Sequence, residues 1–369
     1  MLILQIIIYT IGFLAIILTC LPLLKHGAWW IRLGDFPRIQ IAVLCLLMAA
    51  LLLLFAAPFH VVEIIFVILL ALCAVYQVFR ILPYTPLYAK QVEKAVSPRP
   101  ENTIKLLIYN VMIENRETGK LLELVKKTNP DLVLLAEPDE RWLNELGELD
   151  KAYPFSVKHP LDNAYGLALF SRLRLDNPQL KFLIEDDIPS IHTGVELASG
   201  KIINLFCLHP RPPIPPENDR SSERDVELII VGRMIKATNA PTIIAGDLND
   251  VAWSRTTTLF QKISNLLDPR IGRGLYSSFH AHHWFIRFPL DHVFHSNHFR
   301  LAELRRLPNI GSDHFPIFIA LSYEKTAELT QEEPEATAEE EQEADEILEE
   351  ALETIEEAKA ENSKLEKDF

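Results

Sequence analysis

Cysteine is scarce in this chain, and no metal-thiolate spacing occurs. The four cysteines are Cys20, Cys45, Cys73 and Cys207. The first three lie in apolar runs and the fourth stands alone. That excludes a disulfide framework and a CxxC zinc site in the C-terminal part. Cys207 reads as a lone buried thiol. There is no Walker lysine loop, which argues against nucleotide-driven phosphoryl transfer, and no HExxH helix. No internal repeat is present. An excess of positive charge is also missing. The formal net charge is -14, but Glu324 to Phe369 alone holds 19 acids against 4 lysines. The rest of the chain is therefore about +1. Such a body lacks the footprint of a protein that coats DNA non-specifically.

Apolar residues, by contrast, are plentiful and concentrated before Arg80. Met1 to Leu24, Ile39 to Pro58 and Val61 to Phe79 are three apolar runs. Each is close to the roughly 20 residues that cross a bilayer as a helix. The first run lacks a basic start and a small-residue cleavage site, so it does not read as a signal peptide. Residues 1–80 are expected to form three transmembrane helices, with Glu63 near an interface. Little charge lies inside the runs, which disfavours a transporter. Lys25, Arg32 and Arg38 lie in the first loop, with Trp29 and Trp30. Arg80, Lys90, Lys94 and Arg99 follow the third run. With three spans these positive groups share one side, which predicts an inner-membrane, multi-pass protein with a cytoplasmic C-terminal part.

Residues 81–102 contain Pro83, Pro86, Pro98 and Pro100 and read as a stiff spacer. Residues 103–323 read as one α/β domain. Strands are expected at Ile104–Tyr109, Asp131–Ala136, Gly166–Phe170, Ile202–Leu208 and Thr242–Ala245. Three more are expected at Asp291–His295, Leu301–Leu307 and Phe315–Leu321. Leu121–Lys127 and Ser222–Ala237 have helical spacing. Residues 324–369 read as a charge-rich solvated tail or a marginal amphipathic helix along Ile347, Leu348, Ala351, Leu352 and Ile355.

The chemically useful groups stand at the ends of expected strands, which are rigid supports that can converge on one point. Asn110, Glu137, His209, and the Asp247 and Asn249 pair follow strands. Asp313 and His314 precede one. Asn110 could simply form a turn, and Glu137 could be solvated or cap a helix. In Gly246-Asp247-Leu248-Asn249, alternation sends two oxygen-bearing side chains to one side, as a hard cation or a phosphate requires. The alternative is an Asx turn. Gly311-Ser312-Asp313-His314 sets a carboxylate beside an imidazole, and Asp291 could orient the His314 ring. Oxygen ligands favour Mg2+ or Mn2+ over zinc. His280, His282 and His283 form a further cluster, read as a solvated loop with a second metal site as the alternative. Arg211, Arg220 and Arg224 could grip a substrate phosphate or merely occupy a loop and helix face.

In this order, YNV at Asn110, LLAE at Glu137, LHP at His209, GDLN at Asp247 and Asn249, LDHVF at Asp291 and GSDHFP at Asp313 and His314 resemble the endonuclease/exonuclease/phosphatase superfamily, which is DNase-I-like. The N-terminal helices and the HPRPPIPP stretch resemble a bacterial membrane-anchored branch of it. The resemblance spans residues 103–323. It implies a four-layer α/β sandwich, two β-sheets face to face with helices outside. It implies that Glu137 is the main metal ligand, assisted by Asn110, and that Asp313 binds or positions the metal. It further implies that Asp247 orients or deprotonates the attacking water and Asn249 holds the phosphate. Asp291 would fix the ring of His314, and His314 and His209 would stabilise charge on the phosphate. The expected activity is in-line hydrolysis of a phosphodiester, in nucleic acid or a phospholipid-like molecule. Asp247 and His314 both remain candidates for the proton acceptor. The competing reading is a catalytically silent membrane scaffold that recruits a protein partner through its acidic tail.

Overall fold

A computed structural model describes residues 2–24, 26–55, 60–212 and 222–365. Of residues 352–365 only the backbone is described. Lys25, Arg220 and residues 56–59 fall outside the described residues. The chain divides into two compact units, one holding residues 1–89, the other holding most of the remainder.

The first unit contains α1 (Leu2–Cys20), α2 (Trp29–Arg32), α3 (Arg38–Phe55) and α4 (Val61–Ile81). Leu2–Leu23, Arg38–Phe55 and Val61–Tyr84 are long and apolar enough to cross a membrane. Their outer faces expose large aliphatic side chains such as Leu54 and Val75. The inner faces hide a polar thread. Arg38 donates to Gln77 at 2.9 Å, and Gln77 donates to Thr19 at 3.0 Å. Arg38 also pairs with Asp35. The thread joins α1, α3 and α4, because polar groups removed from water must find one another.

The second unit is the expected sandwich. The helices are α5 (Thr118–Thr128), α6 (Glu140–Glu145), α7 (Gly147–Ala152), α8 (Ser222–Thr238), α9 (Arg255–Ser264) and α10 (Ala338–Leu365). Strands β1 (Thr103–Asn110), β2 (Leu132–Ala136), β3 (Phe155–His159), β4 (Leu167–Ser171), β10 (Phe299–Arg306) and β11 (Ile317–Tyr323) form one sheet, in the order β10-β11-β1-β2-β4-β3. Strands β5 (Leu175–Lys181), β6 (Ser190–Glu196), β7 (Ile202–Leu208), β8 (Thr242–Asp247) and β9 (Asp291–His295) form the other, in that order. Facing apolar side chains fuse the sheets into one core, with Leu106, Leu134 and Leu169 from the first and Ile191, Leu205 and Ile243 from the second. Cys207 lies in this core, and burial raises its thiol pKa far above the usual range. Each sheet has one parallel pair, β1–β2 and β7–β8, bridged by α5 and α8 respectively. Four strand ends therefore point the same way, and the site is built on them.

Two sequence expectations change. The spacer is shorter than 81–102. Val92 is fully buried in the sandwich core, and the Glu93 carbonyl and Ala95 N–H bond to Leu301 on β10. The acidic segment is also not a loose tail. Gln331 donates to the carbonyls of Asn297 and Phe299, and α10 then lies on α8 and α9. Ala344 is buried against Ile229, Leu259 and Ile263, flanked by Ile347 and Leu348. Glu340, Glu341, Glu343 and Asp345 pair with Lys262, Lys236, Arg255 and Arg233. Of the apolar stripe, Ile347 and Leu348 pack within the chain and Ala351 is buried. Surface pairs contribute only about 0–1 kcal/mol each, so the small apolar contact matters most. Ala344→Glu is expected to weaken docking by about 1–3 kcal/mol. Hydrogen exchange in 338–351 should accelerate while exchange in β1 and β8 is unchanged.

Candidate active site

Asn110 ends β1, and its register partner is Ala136, the last residue of β2. Glu137 comes next. It sits at φ +61, and its N–H donates to Gly166 O at 2.9 Å. A non-glycine residue in the left-handed region is uncommon, and here the turn aims the carboxylate into the cleft. Gly166 is required beside it, because a Cβ there would meet Pro138 O at 2.1 Å. On the other sheet, Gly246 has φ +148, and a Cβ there would meet Leu208 O at 1.9 Å. That close approach of β7 and β8 sets the position of Asp247.

One amide links the two sheets. Asn110 Nδ2 donates to Glu137 Oε1 at 2.7 Å and to Asp247 Oδ2 at 3.0 Å. Asn110 Oδ1 accepts from the Met112 N–H at 3.0 Å. Glu137 keeps a partial opening to solvent but is closely surrounded by protein. Burial pushes its carboxyl pKa up to about 7, and the charges of Asp247 and Asp313 add to the rise. Among the described residues no Lys or Arg pairs with Glu137. This is the donor set a hard cation fits: a desolvated carboxylate, an amide oxygen and a nearby second carboxylate, with no competing cationic side chain. An ion there would require the Asn110 amide to turn its oxygen toward Glu137. Asp313 acts on the charges of both Glu137 and His314, and its carboxylate accepts from Ser312 Oγ at 3.2 Å.

The β8–β9 register sets Asp247 directly opposite Asp291. Two buried like charges in a cross-strand pair repel, so a cation must sit between them. His314 supplies it. Its Nδ1 lies 2.7 Å from Asp291 Oδ2 and its Nε2 lies 3.5 Å from Asp247 Oδ2. Burial alone would lower the imidazole pKa, but Asp291 and Asp247, with a smaller share from Asp313, overcome it and raise it to about 10. The ring is therefore an imidazolium at neutral pH. Burial would likewise raise the pKa of Asp247, yet His314 and His209 hold it below the usual carboxylate value. Asp247, Asp291 and His314 are also the group whose ligand-type atoms cluster within 4.8 Å among the described residues. Within it, Asp291 and His314 share a hydrogen bond, and Asp247 stands in ion-pair range of the other ring nitrogen. Nδ1 is committed to Asp291, whereas Nε2 makes no hydrogen bond to Asp247 at this distance and keeps its N–H for a ligand.

His209 is buried at the end of β7, its ring 5.9 Å from that of Tyr165. Asn249 has φ +51, and its Nδ2 donates to Pro210 O at 2.9 Å. The expected arginine grip is rearranged. Arg224 is 2% exposed and braces the Asn249 loop, donating to Asn249 O at 2.8 Å and pairing with Asp225 and Asp250. Arg211 pairs with Glu185 and Asp187 and lies over the Tyr165 ring. Arg220 falls outside the described residues. His282 and His283 are exposed, as a solvated loop requires, and the trio offers no cluster of three ligand atoms.

Several supports carried no motif. Ser278 Oγ accepts from the Asp291 N–H at 3.0 Å, and the Phe279 ring lies 5.1 Å from that of His314. Tyr109 Oη accepts from the Ser312 N–H at 3.2 Å, which steadies the turn bearing Asp313. Only Tyr109, inside the YN step, had a sequence signal near it.

Residues 107–314 match the model of the Endonuclease/Exonuclease/phosphatase family. No curated protein sequence matches the chain. Solved structures share the fold at low identity. The human Nocturnin catalytic domain with bound sulfate is 17% identical with a TM-score of 0.50, covering 62% of this chain and 97% of that one. An endonuclease/exonuclease/phosphatase family protein from Bacteroides thetaiotaomicron is 17% identical with a TM-score of 0.49, covering 62% and 98%. TDP2 of D. rerio complexed with single-strand DNA product is 16% identical with a TM-score of 0.48, covering 60% and 99%. Members of the matched family are metal-dependent hydrolases of phosphoesters. With a matched span of more than half its length, and the site built on the four parallel strand ends, this chain belongs to the endonuclease/exonuclease/phosphatase family.

Proposed function

We propose that this chain is a membrane-anchored, Mg2+- or Mn2+-dependent phosphodiesterase that hydrolyses its substrate by in-line attack of water. One observation carries the reading: an unbroken run of contacts from Glu137 through Asn110 and Asp247 to His314 and Asp291. Glu137, Asn110 and Asp313 would hold the ion. The chemistry such an ion would supply there is Lewis-acid stabilisation of negative charge on the phosphoryl and leaving oxygens.

The remaining roles follow from charge state. His314 is already protonated at neutral pH, so it donates to a phosphate oxygen and does not accept a proton. Asp247 is ionised, and that makes it the group that orients the water and accepts its proton. Asn249 and His209 would flank the phosphate and supply donors where negative charge grows. Asp291 holds the imidazolium in place. No side chain in this arrangement is poised as a nucleophile, which supports direct attack by water.

Three apolar helices support a membrane anchor, and the basic residues beside them support a cytoplasmic sandwich. The near-neutral body and the anchor favour a phospholipid-like phosphodiester over nucleic acid. The test uses the full chain in detergent with bis-nitrophenyl phosphate, plasmid DNA, RNA and phospholipid. Hydrolysis of the model diester should require Mg2+ or Mn2+, stop with chelator and resume when the metal is restored. Hydrolysis that chelator leaves untouched would rule the proposal out.

A further inference from the structure

A second polar cleft lies at the opposite pole of the sandwich. It holds about 610 Å³ and is lined by Ser97, Arg99, Asn102, Lys201, Tyr323 and Lys325, among others. Asn102 precedes β1, Lys201 precedes β7 and Tyr323 ends β11. The catalytic groups sit at the other ends of β1 and β7. The length of β1 alone separates the two places by about 23 Å. A ligand in this cleft would not be a substrate in the catalytic one.

The cleft collects positive charge from three separate stretches of chain. Arg99, Lys201 and Lys325 line it, and among the described residues none has an ion-pair partner. This contrasts with Arg300 close by, which pairs with both Glu93 and Glu324. Glu324 is the acid in the lining; its Oε2 pairs with Arg300, which Glu93 shares. Hydroxyl donors from Ser97, Ser199, Ser322 and Thr326 surround the same space. The backbone is firmly held around it. Arg99 O accepts from the Asn102 N–H at 3.0 Å and from Thr103 Oγ1 at 2.8 Å, while the Ser199 N–H donates to Glu101 O at 2.9 Å. Lys201 Nζ stands over the Tyr323 ring at 5.4 Å. A hollow of small-ligand size, rimmed by exposed cations that have no ion-pair partner among the described residues and by hydroxyls, over a hydrogen-bonded floor, suits a compact anion.

We propose that this cleft binds a phosphate dianion, either free or as the monoester of a lipid headgroup. Bound there, the anion ties the segment at 97–102 to the strand ends of both sheets. Because that segment follows the apolar helices in sequence, a lipid source would couple the sandwich to its bilayer. The proposal stands apart from the catalytic reading, since none of these residues contributes to the active site.

The experiment is hydrogen exchange on the full chain, read at peptides covering 97–102, 199–201 and 322–326. Inorganic phosphate is added to the protein in neutral detergent. In parallel the chain is placed in phosphatidylcholine nanodiscs with and without phosphatidic acid. At least a fivefold slowing of exchange is expected at all three peptides in one arm or both. Slowing by inorganic phosphate points to a soluble ligand; slowing only by phosphatidic acid points to a headgroup. The triple variant Arg99→Glu, Lys201→Glu, Lys325→Glu should abolish the slowing and leave hydrolysis of bis-nitrophenyl phosphate within twofold. Lys201→Arg with Lys325→Arg should retain it. The idea is overturned if neither anion slows exchange at these peptides, or if the triple variant is slowed as much as the wild type.

Discussion

Glu137→Gln is expected to lower kcat by about 10³-fold, because it removes the carboxylate proposed as the main ligand of a catalytic cation. The amide has the same shape, so the fold should survive. The stability effects separate loss of a ligand from loss of structure. The Glu137 pKa is raised by burial to about 7 in the folded chain. A carboxylate with a raised folded pKa contributes stability below its unfolded pKa of about 4.3, and that contribution is lost as pH rises through the folded value. Metal-free wild type should therefore weaken between about pH 4.3 and pH 7. Glu137→Gln should lack that slope and melt higher than metal-free wild type at pH 8. Added Mg2+ should raise the Tm of the wild type, and more at pH 8 than at pH 5.5, while leaving the variant unmoved. Protons and metal compete for the same oxygens. The acid limb of wild-type activity should sit near pH 7 at low Mg2+ and move lower as Mg2+ rises. An acid limb that ignores the metal concentration would place the titrating group elsewhere.

Asp291→Asn is expected to cost about 10²–10⁴-fold in kcat while KM changes little, because it acts on His314 and not on substrate. Asp291 contributes most among the three carboxylates, with Asp247 and Asp313, that hold the imidazole pKa at about 10. Removing it leaves burial to push the pKa down. The ring would then lose its proton near neutrality and stop donating. Wild-type activity should persist into the alkaline range and decline toward pH 10, whereas the variant should decline from a much lower pH. The linkage runs the same way. A histidine whose folded pKa is raised contributes stability that is full below about pH 6.5 and lost as pH climbs through the folded value. That slope should be present in the wild type and reduced in Asp291→Asn. An unchanged alkaline limb, followed by NMR of the His314 ring, would show that Asp291 does not govern the imidazole.

The two predictions rest on features that differ in how far the sequence exposes them. Strand-edge motifs name Asn110, Glu137, Asp247 and His314 directly, since a polar residue flanking an apolar strand, after it or before it, leaves a clear boundary. The opposition of Asp247 and Asp291 cannot be read that way. It depends on the β8–β9 register, set by pairing between residues some forty positions apart. Arg224 looks like a phosphate grip from its spacing after His209, yet the helix turns it inward against Asp225 and Asp250. Three strands also escape periodicity. Phe155–His159 is half exposed at a sheet edge, Leu175–Lys181 contains Pro178 and a register shift, and Ser190–Glu196 is mostly polar or small. The docking of Val92 into the core from a proline-rich stretch has no local signal. A single apolar residue among prolines and charges carries no period.

The account turns on where a divalent ion binds. Crystals of the chain soaked in Mn2+ and measured by anomalous scattering address that directly. The expected result is a peak within about 2.2 Å of a Glu137 carboxylate oxygen, with the Asn110 amide turned to face it. A peak seated instead among Asp247, Asp291 and His314, or no peak at saturating Mn2+, would contradict it.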